Sequence, residues 1–184
     1  MHRPHVRVFV AASLDGFIAD EHGRLDWLGG YNDSPDQTGY ARLHAESDTF
    51  VIGRNTYESV LGFEDWPYPG KQVVVITRRS VPGRFNEEAY SGRIEDLLYK
   101  LWLKGSRQVY LDGGEAIRQA LAAGCVDEMT ISWVPALLGQ GVRLFGPDVR
   151  ITGLQVTATQ RLPSGLVQCS YALPASVSAH AAPI

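Results

Sequence analysis

The sequence predicts an α/β fold: a mostly parallel sheet with helices on both faces and an antiparallel edge. Three observations predict it. Runs rich in β-branched residues alternate with segments whose apolar residues recur at helical spacing. Three of the strand-like runs stop at glycine or at paired arginines, in Gly53-Arg54-Asn55-Thr56, Thr77-Arg78-Arg79 and Asp112-Gly113-Gly114. Near the C-terminus two further runs flank Pro163-Ser164-Gly165, which reads as a hairpin.

With 184 residues, 45% of them hydrophobic, the chain can bury one sizeable core. The expected organisation is a single domain over 1–173 and a loose tail over 174–184, rich in Ala, Ser and Pro. A formal charge of −3 and scattered arginines give no general attraction to nucleic acid or to an anionic membrane. Cys125 and Cys169 lie far apart with no metal-ligand spacing, so free thiols and no metal site are expected. No hydrophobic run has transmembrane length, and the N-terminal run is too short for a signal-peptide core. A cytoplasmic protein is the expectation.

Val6 to Leu14 reads as a buried central strand, turned sharply at Asp15-Gly16. The loop from Asp20 to Ser34 carries Gly23, Gly29 and Gly30 and is a candidate lid. Within it Asp26-Trp27 stands out, either as part of a binding site or with Trp27 as a plug for the core beneath. Ser34-Pro35-Asp36 opens a helix, with Ser34 as N-cap and Pro35 in the first turn; Tyr40, Leu43 and His44 face inward and Asp48-Thr49 ends it. Phe50-Val51-Ile52 is a second buried strand, and Gly53-Arg54-Asn55-Thr56 starts a short helix. The third strand, Gln72 to Thr77, ends in Arg78-Arg79. Arg93 to Leu103 is a helix stopped by Gly105. Val109 to Leu111 leads through Gly113-Gly114 into a helix with Ala116, Ile117, Ala120 and Leu121 on one face. Asp127 to Pro135 alternates, so that Thr130 and Ser132 can face a cleft. Leu154 to Arg161 and Val167 to Leu173 complete the hairpin. The order is βαβαβ(β)αβαβ and then the hairpin.

Free N–H groups at a helix start, and the positive end of its dipole, favour a phosphate. Arginines add charge-assisted bonds. Ordinary turns and solvated arginines read from the same residues taken singly. Taken together they point to one elongated ligand with phosphates at its middle and end, as in a dinucleotide phosphorylated on its ribose. No GxGxxG follows a strand, so this is not the Rossmann pattern.

Five stretches, in order, resemble the dihydrofolate reductase-like superfamily: Ser13-Leu14-Asp15-Gly16-Phe17-Ile18-Ala19, Gly53-Arg54-Asn55-Thr56-Tyr57-Glu58, Asp112-Gly113-Gly114, Val126-Asp127-Glu128 and the run from Pro135 to Phe145. Among its members the chain is most similar to the stand-alone form of the riboflavin-biosynthesis reductase domain, the C-terminal domain of RibD. The resemblance runs from about Val6 to Leu173. It implies a three-layer α/β/α fold, NADPH as cofactor, a small heterocyclic substrate of pterin or aminopyrimidine type, and a homodimer.

By position, the resemblance implies that Ala11, Ile18 and Ala19 line the nicotinamide pocket. It gives Gly53, Arg54, Asn55, Thr56, Thr77, Arg78 and Arg79 to the pyrophosphate and the 2′-phosphate, and Gly113, Gly114, Glu115 and Ala116 to a second pyrophosphate turn. The loop with Asp26 and Trp27 resembles the mobile loop over the nicotinamide. Dihydrofolate reductases carry a carboxylate at the start of the following helix, where Asp33 or Asp36 lies. Asp36 with Trp27 is therefore the expected catalytic pair, and Asp26, Trp27 and Ser132 the expected substrate contacts. Riboflavin-pathway reductases hold a ribose phosphate with several arginines along that helix; here it keeps Arg42, with His44 where an arginine is usual. The alternative is a fold relative that binds a nucleotide without turnover, and behind it a purely structural dimerisation module.

Overall fold

A computed structural model describes residues 2–31, 33–147 and 149–174. The expected tail lies outside them, apart from Pro174. Along the chain the elements are β1 (His5–Ser13), β2 (Phe17–Ala19), a 3-10 turn (Asp26–Leu28), α1 (Pro35–Thr38), α2 (Tyr40–Glu46), β3 (Thr49–Gly53) and α3 (Arg54–Val60). Then come β4 (Gln72–Ile76), β5 (Glu87–Tyr90), α4 (Ile94–Leu103), β6 (Gln108–Asp112), α5 (Gly114–Ala122), β7 (Glu128–Val134), β8 (Val142–Arg143), β9 (Gln155–Arg161) and β10 (Val167–Ala172).

Eight strands form one sheet in the order β5-β4-β3-β6-β1-β7-β10-β9. It is parallel from β5 to β7, and β10 runs antiparallel to both β7 and β9. The expected central strand, mostly parallel sheet and antiparallel C-terminal hairpin are all present. Because side chains alternate along a strand, β1 serves both faces. Val6, Val8, Val10 and Ala12 pack with Leu97, Leu98 and Leu101 of α4 and Ile117 and Leu121 of α5. Phe9 packs against the opposite cluster, formed by Leu43, Phe50, Ile52, Tyr57 and Tyr110. Burying Ile117 or Leu121 contributes about 1.5–3 kcal/mol each, and the small Ala116 and Ala120 between them let α5 lie close to the sheet.

The structure departs from the sequence reading in three places and fills one that the reading left open. The helix expected after Ser34 is two, α1 and α2, broken at Gly39, whose φ of 82° takes the left-handed conformation open to glycine. The extra strand allowed for before α4 is β5, at the sheet edge. Phe17–Ala19, expected to be turn and loop, pairs with Val142–Arg143 in a separate two-stranded sheet. Thr130 and Ser132 do not line the cleft; their side chains meet those of Ser170 and Gln168, the residues opposite them on β10. Both hydroxyls are used there: Thr130 Oγ1 lies 2.9 Å from Ser170 Oγ, and Ser132 Oγ accepts from Gln168 Nε2 at 3.0 Å. Among the described residues no helix is long and apolar enough to cross a membrane.

Candidate active site

A cleft of about 620 Å³ opens over the carboxyl ends of β1, β3, β4 and β6. Ligands of open α/β sheets gather at this edge. The cleft brings together Ala11, Ile18, Ala19, Gly53, Arg54, Asn55, Thr56, Gly113, Gly114, Glu115 and Ala116. Its floor is a pair of facing glycine turns. β3 ends at Gly53, the N-cap of α3, and β6 runs into Gly113, the N-cap of α5; neither helix start has a side-chain cap. Gly113 has φ 97°, and a Cβ there would lie 2.9 Å from Thr56 Oγ1 and 3.0 Å from the Gly53 nitrogen. Only glycine satisfies both the torsion and the space. Helix α1 starts differently: Ser34 and Gln37 close a reciprocal capping box over its first N–H groups. The glycine starts leave theirs for a ligand, and the positive ends of two helix dipoles meet there. This donor set fits the pyrophosphate of a dinucleotide.

The cations are arranged around these turns. Arg54 Nε donates to Glu58 (2.7 Å), and its Nη1 reaches the Ser80 carbonyl (3.3 Å), which ties α3 to the segment after β4. There Thr77 Oγ1 accepts from the Arg79 nitrogen (3.0 Å), and the side chains of Arg78 and Arg79 are exposed. Neither lines the cleft itself, but Ile76, the last residue of their strand, does. Arg118 pairs with Glu115 (2.9 Å) and donates to the Arg143 carbonyl. Ile18, Val142 and Arg118 crowd over Gly114 so closely that a Cβ there would lie within 3.0–3.1 Å of each.

The loop of residues 20–34 closes one side, with Gly23, Leu25 and Leu28 on the cleft. Asp20 accepts from the His22 and Arg24 nitrogens (2.8 Å each), and Gln140 donates to Glu21. At the far end Asp33 accepts from the Ser164 nitrogen (2.8 Å) and hydroxyl, fastening the loop to the turn between β9 and β10. Asp33 is thus a tie and not a free acid.

Besides Thr77, Arg78 and Arg79, four expected residues are not brought to the cleft. Trp27 packs against Val134, Leu162 and Leu166, filling core under the loop, because its neighbours Leu25 and Leu28 take the cleft side. Asp26 is exposed, with 88% of its side chain accessible. Asp36 lies exposed in the first turn of α1, where its charge complements the helix dipole. Ser132 is buried in the β7–β10 ladder.

Besides Glu115, which pairs with Arg118, the cleft is lined by a second acid, Asp112, the last residue of β6. Val8 pairs with Leu111, so Phe9 and Asp112 lie next to each other one step further along the same two strands. Burial raises the Asp112 pKa above the ordinary aspartate value, and the Gly113 N–H (2.7 Å) and the nearby Tyr110 hydroxyl pull it only part of the way back. Their own burial, and after it the Asp112 charge, pushes Tyr40 up to about 12 and raises Tyr68 and Tyr110, so all three phenols stay protonated. Tyr110 donates to the Phe9 carbonyl (3.2 Å). One signal for Asp112 stood in the sequence: an acidic residue closing an otherwise apolar strand just before Gly-Gly.

Comparison with known proteins agrees with this arrangement. The family model described as RibD C-terminal domain matches residues 4–168. The chain belongs to the RibD C-terminal domain family. The Bacillus subtilis (strain 168) protein YwjB, itself uncharacterized, is 30% identical over 165 residues, covering 84% of this chain and 90% of YwjB. The riboflavin biosynthesis protein RibD of Corynebacterium ammoniagenes is 29% identical over 169 residues, 79% of this chain but 47% of RibD, so the match is to part of a longer protein. A Shewanella sp. PV-4 structure, assigned provisionally to riboflavin biosynthesis, superposes with a TM-score of 0.84 at 37% identity over 92% of this chain and 99% of its own. Two remote structures share the fold. One is the Thermotoga maritima diaminohydroxyphosphoribosylaminopyrimidine deaminase/5-amino-6-(5-phosphoribosylamino)uracil reductase (TM-score 0.70, 16% identity, 94% of this chain and 57% of that one). The other is Enterococcus faecalis dihydrofolate reductase complexed with NADP(H) (0.65, 15%, 92% and 96%). The fold of this RibD C-terminal domain is therefore dihydrofolate reductase-like, and the family is a reductase family.

Proposed function

We propose that this protein is an NADPH-dependent reductase that delivers hydride to a small heterocycle of pterin or aminopyrimidine type. The observation that carries this reading is the meeting of two uncapped helix starts, at Gly53 and Gly113, with a half-buried acid, Asp112, in one cleft. The N–H groups at the starts of α3 and α5, with Arg54, would hold the cofactor's pyrophosphate. Arg78 and Arg79, after the end of β4, would hold its 2′-phosphate. Ile18 and Ala19 on β2 with Ala11 on β1 form an apolar seat for the nicotinamide, and Leu25 and Leu28 of the loop exclude water. When bound, the cofactor supplies the hydride, which adds to the ring carbon of a C=N bond while its electron pair becomes the new C–H bond.

The chain's contribution to the chemistry is the proton. The Asp112 carboxyl gives its proton to the ring nitrogen as the C=N π electrons move onto it, and the carboxylate regains a proton from solvent through the cleft mouth. Asp112, rather than the exposed Asp36, has the burial and the position for this. A homodimer is proposed on the family's behaviour, with the edge strand β9, exposed along all seven residues, available for a second copy.

Titrating NADPH and NADH against the protein, read by energy transfer from tryptophan to the reduced nicotinamide, tests the reading. NADPH is expected to bind at least about tenfold more tightly than NADH, with Arg78→Ala narrowing the difference. Equal affinities throughout, or no binding of either, would favour the non-catalytic alternative.

A further inference from the structure

Among the described residues two cations line the cleft, Arg54 and Arg118. Each belongs to the helix behind one glycine turn, Arg54 to α3 and Arg118 to α5. They reach different neighbours. Arg54 Nη1 donates to the Ser80 carbonyl after β4 (3.3 Å), whereas Arg118 Nη1 donates to the Arg143 carbonyl of β8. β8 pairs with β2, where Phe17 lies opposite Arg143. A Cβ at Gly114 would lie 3.0 Å from Arg118 Nη1 and 3.1 Å from Ile18 Cδ1, so the guanidinium and the β2 side chain meet over one point at the first turn of α5.

The stem of Arg118 is fixed and its head is held less firmly. A Cβ at Gly146 would meet the Arg118 Cδ at 3.1 Å and its Cγ at 3.8 Å. Beyond that packing, Nη2 donates to Glu115 at 2.9 Å across one turn of helix, and 68% of the Glu115 side chain is accessible. Ion pairs this exposed contribute little, because water and salt screen them. Glu115 also accepts from Gln119 Nε2 at 3.0 Å, so it keeps a partner when Arg118 turns to another anion.

A phosphate at the start of α5 offers the guanidinium two oxygens at once, and such a fork is stronger than a single exposed pair. Glu115, in the first turn, already gives the positive end of the α5 dipole a negative partner. The phosphate and the Glu115 carboxylate therefore compete for the same cation and the same helix end.

We infer that Arg118 is the cation that holds the nicotinamide-side phosphate of the cofactor, exchanging Glu115 for that phosphate when the cofactor binds. This rests on the reductase reading, which seats the nicotinamide at Ile18, and it leaves the adenosine-side phosphate to Arg54.

The test compares three ligands by titration calorimetry. NADPH and 2′-phospho-ADP-ribose both carry the two bridging phosphates, the second without the nicotinamide; 2′,5′-ADP carries the adenosine-side one alone. Arg118→Met is expected to weaken the first two at least about tenfold and the third by less than about threefold. Arg118→Lys, which keeps the charge and loses the fork, is expected to fall between. Glu115→Gln removes the competing carboxylate and acts in the opposite sense. It is expected to tighten the first two by about threefold at low salt, a gain that fades as salt is raised, and to leave 2′,5′-ADP unchanged. Equal weakening of all three ligands by Arg118→Met, weakening of NADPH alone, or no change in the folded variant overturns the inference and leaves the reductase. Looser binding of the first two by Glu115→Gln overturns it as well. If the unaltered protein does not bind NADPH, the reductase reading falls and the inference falls with it.

Discussion

The two edges of the parallel sheet are built on opposite terms. At the amino edge two carboxylates, Asp127 and Asp48, are fully answered. Asp127 accepts from both terminal nitrogens of Arg3 (2.5 and 2.8 Å) and from the Val6 nitrogen (2.7 Å). Asp48 accepts from Ser106 Oγ (2.5 Å) and from the nitrogens of Arg107 (2.7 Å) and Gln108 (2.9 Å). Burial alone would raise both acids, yet these bonds hold them below the ordinary aspartate range. At the carboxyl edge two helix starts have no cap, Gly113 holds a left-handed φ, and Asp112 is raised rather than lowered. The amino edge spends its polar groups on holding strands together, whereas the carboxyl edge keeps them for something outside the chain.

The largest effect should come from the raised acid. Asp112→Asn is expected to lower turnover about 10²–10⁴-fold, the usual contribution of a general acid, with NADPH affinity unchanged in the fluorescence titration. In the unaltered protein turnover should fall as pH rises through the elevated Asp112 pKa, and the variant should lose that limb. Stability moves in the opposite sense to activity. With a folded pKa above the unfolded one, the protonated acid favours the fold at low pH, and this contribution is lost as pH rises through the folded value. Asp112→Asn should therefore be the more stable protein at neutral pH by denaturant titration. A variant equally active at every pH would remove Asp112 from the chemistry.

Next in size is Gly113→Ala. Its Cβ would strike Thr56 Oγ1 and the Gly53 nitrogen in a backbone conformation that alanine rarely adopts. We expect a stability loss of about 1–3 kcal/mol and NADPH binding weakened at least about tenfold, since spreading the turns removes the shared anion seat. Unchanged NADPH affinity in a folded variant would mean that the turns bind nothing.

What could be read from the sequence follows the same division. The glycine turns, the strand ends and the arginines were legible because a single residue type dictates each: glycine for close approach, β-branched runs for buried strands, a Ser-Pro-Asp start for a helix. Trp27, Asp36 and Ser132 were not, because their roles depend on partners far away in the chain. Whether Trp27 faces cleft or core is decided by Leu162 and Leu166, and whether Ser132 is free is decided by Gln168. Asp112 is visible within its motif, but the upward pKa shift that its surroundings give it is a tertiary fact. Gly39 was read as helix interior, and its left-handed torsion splits that helix in two.

On the amino edge, Asp127→Asn should destabilise the protein by about 1.5–3 kcal/mol at neutral pH, the range for a hydrogen-bonded charge, and leave NADPH binding and turnover as they were. The depressed pKa sets the sign of the pH dependence. The stabilisation is present above the unfolded pKa and lost as pH falls through the folded one, so the gap between the two proteins should close in acid. A change in turnover would couple the two edges and break the division between them.

The smallest effect tests where the carboxyl-edge site stops. Ser132 sits opposite Ala11, which lines the cleft, yet its hydroxyl accepts from Gln168 Nε2, and Gln168 Oε1 in turn accepts from Gln160 Nε2 at 2.6 Å. This chain of bonds runs across β7, β10 and β9, away from the glycine turns. Ser132→Ala removes the acceptor and leaves a buried amide hydrogen without a partner, which costs about 1–2 kcal/mol of stability. The bonds of that ladder do not include the glycine turns or Asp112, so NADPH affinity and turnover should stay within about twofold. A loss of turnover larger than the loss of stability explains would carry the site one strand further, from β1 onto β7, and would make the hydroxyl a contact rather than a rung.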